Sequence, residues 1–309
     1  MLKRLVVGLV ISLVFAGITV RISPAVQIPV GNKPETVESK PLRIAVGAMI
    51  TPKAGYAYYK QLLNYIGEKL NRPVKFVDRR SYAAINEELK LQNIDVAFVC
   101  GGPYVDGHDK FGMELLAAPQ VNGKTVYYSY IIVPDNSPAK SLKDLKGKTF
   151  AFTDPLSNTG KLVPTYMLFK MGETPDTFFG KHSFSFGHDK SIKAVAQRIV
   201  DGAAVDSLIY DYMAHNSPEL TSRIRIIEKS PPYGIPPLVV CRGIEPELKE
   251  KLKTILLNIH KDPKGRTILK GMLIEKFVVI KDSAYDGIRE MNRELAIKKG
   301  ETLQHEPKD

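Results

Sequence analysis

Cysteine is scarce: the 309 residues contain two, Cys100 and Cys241. No Cys/His cluster with metal-ligand spacing exists, so neither a metal site nor a metal cofactor is expected. No cysteine follows the apolar run at the N-terminus, and a lipid-anchored form is not expected. No second long hydrophobic run occurs, so nothing else is expected to cross a membrane. The Gly-x-Ser-x-Gly elbow of serine hydrolases is missing. Paired carboxylates for acid–base work are missing near the one turn that invites a catalytic reading. Nothing would activate a nucleophile, and the chain reads as non-catalytic and without cofactor. Acidic residues are outnumbered, 33 to 44, which leaves a net charge of +11. The lysines, among them Lys249, Lys251, Lys253, Lys261 and Lys264, are scattered along helices with acids between them. No basic run is mixed with aromatics as a single-strand binding groove requires, so nucleic acid is excluded as a partner. The charge reads as a solvated surface that weakly favours the approach of anions.

What is present begins with Lys3 and Arg4, followed by an apolar run over residues 5–20. A basic start and a hydrophobic core are the layout of an export signal. At about 16 residues the run is slightly long for a cleaved signal and slightly short for a membrane span. Ser23-Pro24-Ala25 offers a small-residue cleavage site, whereas Arg21 resembles the flank of an uncleaved anchor. Residues 1–24 are therefore a signal peptide or an N-terminal anchor, and both place the protein outside the cytoplasm. It is then periplasmic, or tethered to the outer face of the cytoplasmic membrane. Residues 25–40 lack a periodic apolar pattern and read as a flexible tether.

From Pro41 onward roughly 270 residues remain, enough for two compact lobes with their own cores. Strand and helix alternate. Strands are expected at 42–46, 74–77 and 95–99, with helices at 56–70 and 82–91, and this βαβαβ order argues for a mainly parallel sheet. Asn122-Gly123 signals a tight hairpin before a long β-rich run at 125–133. A second set comes next: strands at 149–152, 182–186 and 203–207, with helices at 162–171 and 192–201. Another β-rich run, 237–241, succeeds the prolines Pro231, Pro232 and Pro236. Helices at 247–260, 263–272 and 285–298 close the chain. The expected fold is a two-lobe α/β clamshell with two crossover strands: lobe 1 at 41–133, lobe 2 at 134–237, and a return to lobe 1 over 238–309. A monomer is expected. Ligands of such folds bind in the crevice at the carboxyl ends of the strands.

The most informative stretch is Asp154-Pro155-Leu156-Ser157-Asn158-Thr159-Gly160, between the strand at 149–152 and the helix at 162–171. It sets three small hydrogen-bonding side chains at a helix N-terminus, where unpaired N–H groups and the positive end of the helix dipole also lie. Such a place holds an oxyanion without a full positive charge. Alternatively, Ser157 or Asn158 only caps the helix. His188, in Gly187-His188-Asp189, stands at the mouth of a strand as a ligand donor or as a helix cap. Tyr82 starts a helix and Tyr127 lies in the first crossover; each is a donor or a packing residue. Asp206 ends a strand facing the crevice, where it orients a site residue or caps the next segment.

On these residues the chain resembles the periplasmic solute-binding proteins of phosphonate, phosphite and phosphate ABC transporters, over about 42–295. The Leu-Lys-Asp-Leu-Lys-Gly-Lys stretch at 142–148 is shared with many solute-binding proteins; Asp154-Pro155, the Ser157–Gly160 turn and Gly187-His188-Asp189 are more specific. The resemblance implies an anion-holding turn of Ser-Thr-Ser-Gly type at Ser157, Asn158, Thr159 and Gly160. It also implies donors at His188, Tyr82 and Tyr127, and an ABC transporter permease as partner. Asn158 and Thr159 replace two of the usual residues and can both still donate. Relatives that bind aminoalkylphosphonates place acids at positions falling near Tyr210 and Pro236, neither of which is acidic. A buried ammonium without a carboxylate is costly, so the implied ligand is a compact oxyanion without an amine.

Cys100 opens an alternative. It ends a buried strand before Gly101-Gly102-Pro103-Tyr104, a turn expected to line the crevice, and some relatives of the family sense arsenite for two-component systems through a thiol. A thiolate suits As(III) far better than it suits phosphate, and a membrane sensor kinase would then be the partner. Otherwise Cys100 is a small buried residue, or pairs with Cys241 in a disulfide.

Overall fold

The computed structural model describes residues 40–47 and 52–298. The leader or anchor expected at 1–24 and the tether at 25–40, Lys40 excepted, lie outside them. Among the described residues no helix is long and apolar enough to cross a membrane.

Leu-Arg-Ile-Ala-Val forms β1 (Leu42–Val46), with Leu42, Ile44 and Ala45 fully buried. After it come α1 (Pro52–Leu70), β2 (Val74–Val77), α2 (Tyr82–Lys90), β3 (Val96–Phe98), α3 (Gly101–Phe111), β4 (Glu114–Gln120), β5 (Val126–Tyr127) and β6 (Ser129–Pro134). The next elements are β7 (Thr149–Phe152), α4 (Val163–Lys170), α5 (Pro175–Phe178), β8 (Lys181–Phe184), α6 (His188–Ala196) and β9 (Gly202–Asp206). The chain then makes α7 (Ser207–Asn216), α8 (Pro218–Thr221), β10 (Ile224–Lys229), β11 (Tyr233–Gly234) and β12 (Leu238–Val240). It closes with α9 (Pro246–Asn258), α10 (Pro263–Gly271), β13 (Lys276–Val278) and α11 (Asp286–Lys298).

Two sheets result. One runs β13-β4-β12-β3-β1-β2 and the other β10-β6-β9-β7-β8. The same arrangement occurs in both: three parallel strands (β2-β1-β3 and β8-β7-β9), then an antiparallel strand (β12 or β6), then a further strand antiparallel to that one. In each sheet the antiparallel third neighbour has just arrived from the other sheet. β5 and β11, paired antiparallel, form the two-stranded connection that carries the crossings.

The crossing residues differ from expectation in register. The run 125–133 is not one strand: β5 stays in the connection and β6 enters the second sheet. The passage between lobes falls at Tyr128, where Tyr128 N–H donates to Ser207 Oγ and Ser207 N–H to the Tyr128 carbonyl, both at 3.0 Å. The boundary expected at 133 therefore lies inside the second lobe. Gly101-Gly102-Pro103 is not a turn but the first turn of α3. Proline is tolerated there because its missing N–H would have been unpaired anyway. The helix expected from 162 begins earlier, through a wide π turn at Asn158–Leu162. The one expected from 192 begins at His188. Asn122-Gly123 does form a tight turn, closed by paired backbone bonds between Val121 and Lys124. The second lobe is tightened by Phe150 stacked on Phe179, ring centroids 4.3 Å apart. Cys100 and Cys241 are both buried free thiols, not a disulfide.

Candidate functional site

Helix N-termini gather at the carboxyl ends of the parallel strands. α3 follows β3, the π turn and α4 follow β7, α6 follows β8, and α7 follows β9 directly. Their leading residues include Gly101, Asn158, His188 and Ser207. Each N-terminus presents N–H groups without intrahelical partners and the positive end of a dipole. None of the nine candidate residues (Tyr82, Cys100, Tyr127, Ser157, Asn158, Thr159, Gly160, His188 and Asp206) carries a fixed positive charge, so any positive potential they share comes from backbone.

All nine residues are buried, and hydrogen bonds link them into one cluster. Ser157 Oγ accepts the Gly160 N–H at 3.0 Å, so the serine does cap the turn; its own proton stays free to be donated. Ser129 Oγ donates to the Thr159 carbonyl at 2.6 Å and fixes the far side of the turn. Asn158 Nδ2 donates to Tyr127 Oη at 3.1 Å, and Tyr127 Oη lies 3.2 Å from Cys100 Sγ. Asp154 Oδ2 accepts the Tyr82 N–H across the crevice at 3.2 Å, while Oδ1 holds the Leu156 N–H at 2.9 Å. Tyr82 and Cys100 come from the first lobe, Tyr127 from the connection, and the turn, His188 and Asp206 from the second. The approach is close: a methyl group on Gly102 would fall on the Leu156 carbonyl and 3.1 Å from Asn158 N.

His188 has a defined tautomer. The Asp206 N–H donates to its Nδ1 at 3.0 Å, so Nδ1 carries no proton and Nε2 does. Thr153 Oγ1, 3.1 Å from the same nitrogen, steadies the ring. Burial lowers the imidazole to a pKa of about 3, opposed by the nearby Asp189 carboxylate, and the ring is neutral at ordinary pH. Phe186, in the left-handed region at φ 54°, turns the chain so that Gly187 and His188 follow β8 into the site. Asp206 caps α7 through Oδ1, which accepts the Leu208 N–H at 2.7 Å. Burial pushes its carboxyl up to about 7. Its side chain thus bonds at the start of α7 while its backbone N–H bonds to His188.

The unsatisfied atoms show what the cluster is built to meet. Among the described residues Tyr82 Oη, Thr159 Oγ1 and His188 Nε2 are buried donors without a partner and Asn158 Oδ1 is a buried acceptor without one; Asp206 Oδ2 also lacks a partner and, with the carboxyl pushed up to about 7, can carry its proton. Such groups cost free energy unless something bonds to them. Burial holds the phenols of Tyr82 and Tyr127 well above their ordinary range, so they remain donors. It also pushes the Cys100 thiol up and keeps it protonated. Thr153 and Ser129 help to build the site although no sequence pattern marks them. A threonine at a strand end and a serine opening a strand carry no distinguishing signal.

A family model described as ABC transporter, phosphonate, periplasmic substrate-binding protein matches residues 44–285. The chain is 27% identical over 210 residues to the phosphonates-binding periplasmic protein of Escherichia coli K12, covering 66% of this chain and 62% of that protein. That match therefore takes in less than two thirds of the relative's length. Identity is 25% over 275 residues to a probable ABC transporter phosphite binding protein of Prochlorococcus marinus MIT 9301, covering 84% and 92%. The crystal structure of a binding protein component of an ABC phosphonate transporter from Pseudomonas aeruginosa superposes with a TM-score of 0.80 at 22% identity, over 87% of this chain and 91% of that one. The fold is the two-lobe clamshell of type II periplasmic binding proteins.

Proposed function

Since the chain belongs to the family of periplasmic substrate-binding proteins of phosphonate ABC transporters, we propose that it captures a phosphorus oxyanion lacking an amine and presents it to a membrane permease. Phosphite, phosphate and small phosphonates are the ligands meant. The observation that carries this reading is that Tyr82 Oη, Thr159 Oγ1 and His188 Nε2–H, all in one buried cluster at helix N-termini, are neutral donors without partners among the described residues. Neutral donors and backbone dipoles suit a compact anion that must be released again, since none of the nine residues is a fixed cation. In this reading Ser157, Asn158, Gly160 and Tyr127 complete the cradle, and closure of the lobes signals occupancy to the permease.

Catalysis has no part in it. The Ser157 hydroxyl is engaged by the Gly160 amide, and His188 Nδ1 is engaged by Asp206 and Thr153 rather than by a nucleophile. The arsenite-sensing alternative loses ground, since burial keeps the Cys100 thiol protonated where As(III) capture needs thiolate.

Calorimetry and thermal shift with phosphate, phosphite, methylphosphonate, sulfate and arsenite test the proposal. A phosphorus oxyanion should raise the melting temperature by mass action. Thr159→Ala should weaken its binding by about 1.5–3 kcal/mol, the scale of a hydrogen bond to a charged group. The fold should barely notice, because that hydroxyl has no hydrogen-bond partner among the described residues. Binding of arsenite alone, abolished by Cys100→Ser, would replace the proposal with the sensor.

A further inference from the structure

Beside the anion cradle lies a cavity of about 380 Å³. Its walls come from both lobes: Tyr59, Phe98 and Met272 from the first, Leu208 and Ile209 from the second, with Pro236 from the connection. Asp206, whose Oδ2 has no partner among the described residues, belongs to the cradle and also lines the cavity, and so joins the two. Tyr59 packs edge-on against Phe98, centroids 5.2 Å apart. Asp211, Lys270 and Glu275 contribute the charged part of the wall. The volume lies in the range of pockets that hold small organic ligands. A bare tetrahedral oxyanion would leave most of it to water against carbon.

We propose that the ligand carries a hydrocarbon substituent of several carbons, its phosphonate held by the cradle at Ser157–Gly160 and His188 and its chain or ring filling the cavity from Asp206 outward. This rests on the oxyanion reading and narrows it to organophosphonates with an apolar substituent. Asp206 stands at the junction, where the phosphorus–carbon bond would pass. The apolar wall rewards each added methylene by removing it from water. An ammonium group on the substituent would have to be desolvated against the apolar part of the same wall.

Calorimetric titration of the purified protein with phosphite and with methyl-, ethyl-, butyl-, phenyl- and 2-aminoethylphosphonate tests this. From methyl to butyl the affinity should rise by about fourfold per methylene, with an increasingly negative heat-capacity change. Ethylphosphonate should bind more tightly than its 2-amino derivative. Leu208→Trp, which fills the cavity, should bring the ratio of butyl- to methylphosphonate affinity down to about one. The series on the unaltered protein decides the matter even where that variant folds poorly. A flat or falling series, with phosphite or methylphosphonate still bound, overturns the substituent and leaves the oxyanion reading standing. Tighter binding of 2-aminoethylphosphonate than of ethylphosphonate also overturns it. Failure of every phosphorus oxyanion to bind overturns both.

Discussion

Burial acts on His188 and Asp206 in opposite directions, and the two effects meet in one pH range. An unfolded histidine takes up a proton below about 6.5, which native His188, near 3, refuses, so its contribution to stability is lost as pH falls. An unfolded aspartate releases its proton above about 3.9, which native Asp206 keeps to about 7, so stability is lost as pH rises. Between roughly pH 4 and 6.5 these slopes, each up to about 1.4 kcal/mol per unit, cancel. Single substitutions should unmask them. Asp206→Asn, which can still cap α7, should weaken the fold on acidification from pH 6.5 to 4. His188→Gln should weaken it on going from pH 4 to 7. Urea unfolding across this range is the check, and two variants that both keep the parent's profile would refute the assignment. His188 and the Ser157–Gly160 turn were legible in the sequence because hydroxyl, amide and imidazole groups cluster after strands. What holds His188 was not legible, since the Asp206 bond to Nδ1 comes from backbone, which every residue type carries.

Helix starts were harder to read than strands. β1, β2 and β7 fall where apolar runs put them and β9 is displaced by one residue, while α3, the π turn and α6 all start at residues that sequence logic assigns to turns. Gly101-Gly102-Pro103 and Ser157-Asn158-Thr159-Gly160 are turn formers by propensity. They open helices here because the strand ends deliver them to a shared crevice where their N–H groups are needed. Gly102 shows the same constraint from packing. Its missing side chain lets the first turn of α3 approach the Leu156 carbonyl and the Asn158 amide. Gly102→Ala suits a helix and should cost the fold little, yet it wedges backbone against backbone between the lobes. Overpacking of this kind costs about 1–3 kcal/mol, borne here by the state in which the lobes meet. Phosphite affinity should fall by roughly tenfold or more, and small-angle scattering at saturating ligand should show a wider molecule. An unchanged Kd and radius of gyration would mean that the neighbouring backbone yields.

At the scale of the whole molecule, the two sheets repeat one strand order, and each borrows its antiparallel member from across the crossing. That symmetry was only partly visible in the sequence: alternation of strand and helix predicts two α/β units, but not which unit owns the run at 129–134. The lobes also meet away from the cradle, where Glu294 of α11 bonds to Tyr166 and Lys170 of α4 at 2.8 and 2.6 Å. Any parting of the lobes must break this contact as well as the one at Gly102. The two free thiols make such parting measurable without any added probe. Cys100 Sγ lies at the seam, beside Tyr127, whereas Cys241 follows β12 within the first lobe, its N–H bonded to the Asp95 carbonyl at 3.1 Å. Separation of the lobes exposes the first, whereas the second lines a pocket at the lobe's own surface with Arg43 and Asp95 and does not depend on that separation. Alkylation of the native protein should therefore run on two independent clocks. Saturating phosphite should slow the Cys100 clock in proportion to occupancy and leave the Cys241 clock untouched; equal protection of both would assign the opening to global unfolding. Two unpaired cysteines, one at the seam and one inside a lobe, thus give this protein an internal stopwatch for the parting of its lobes.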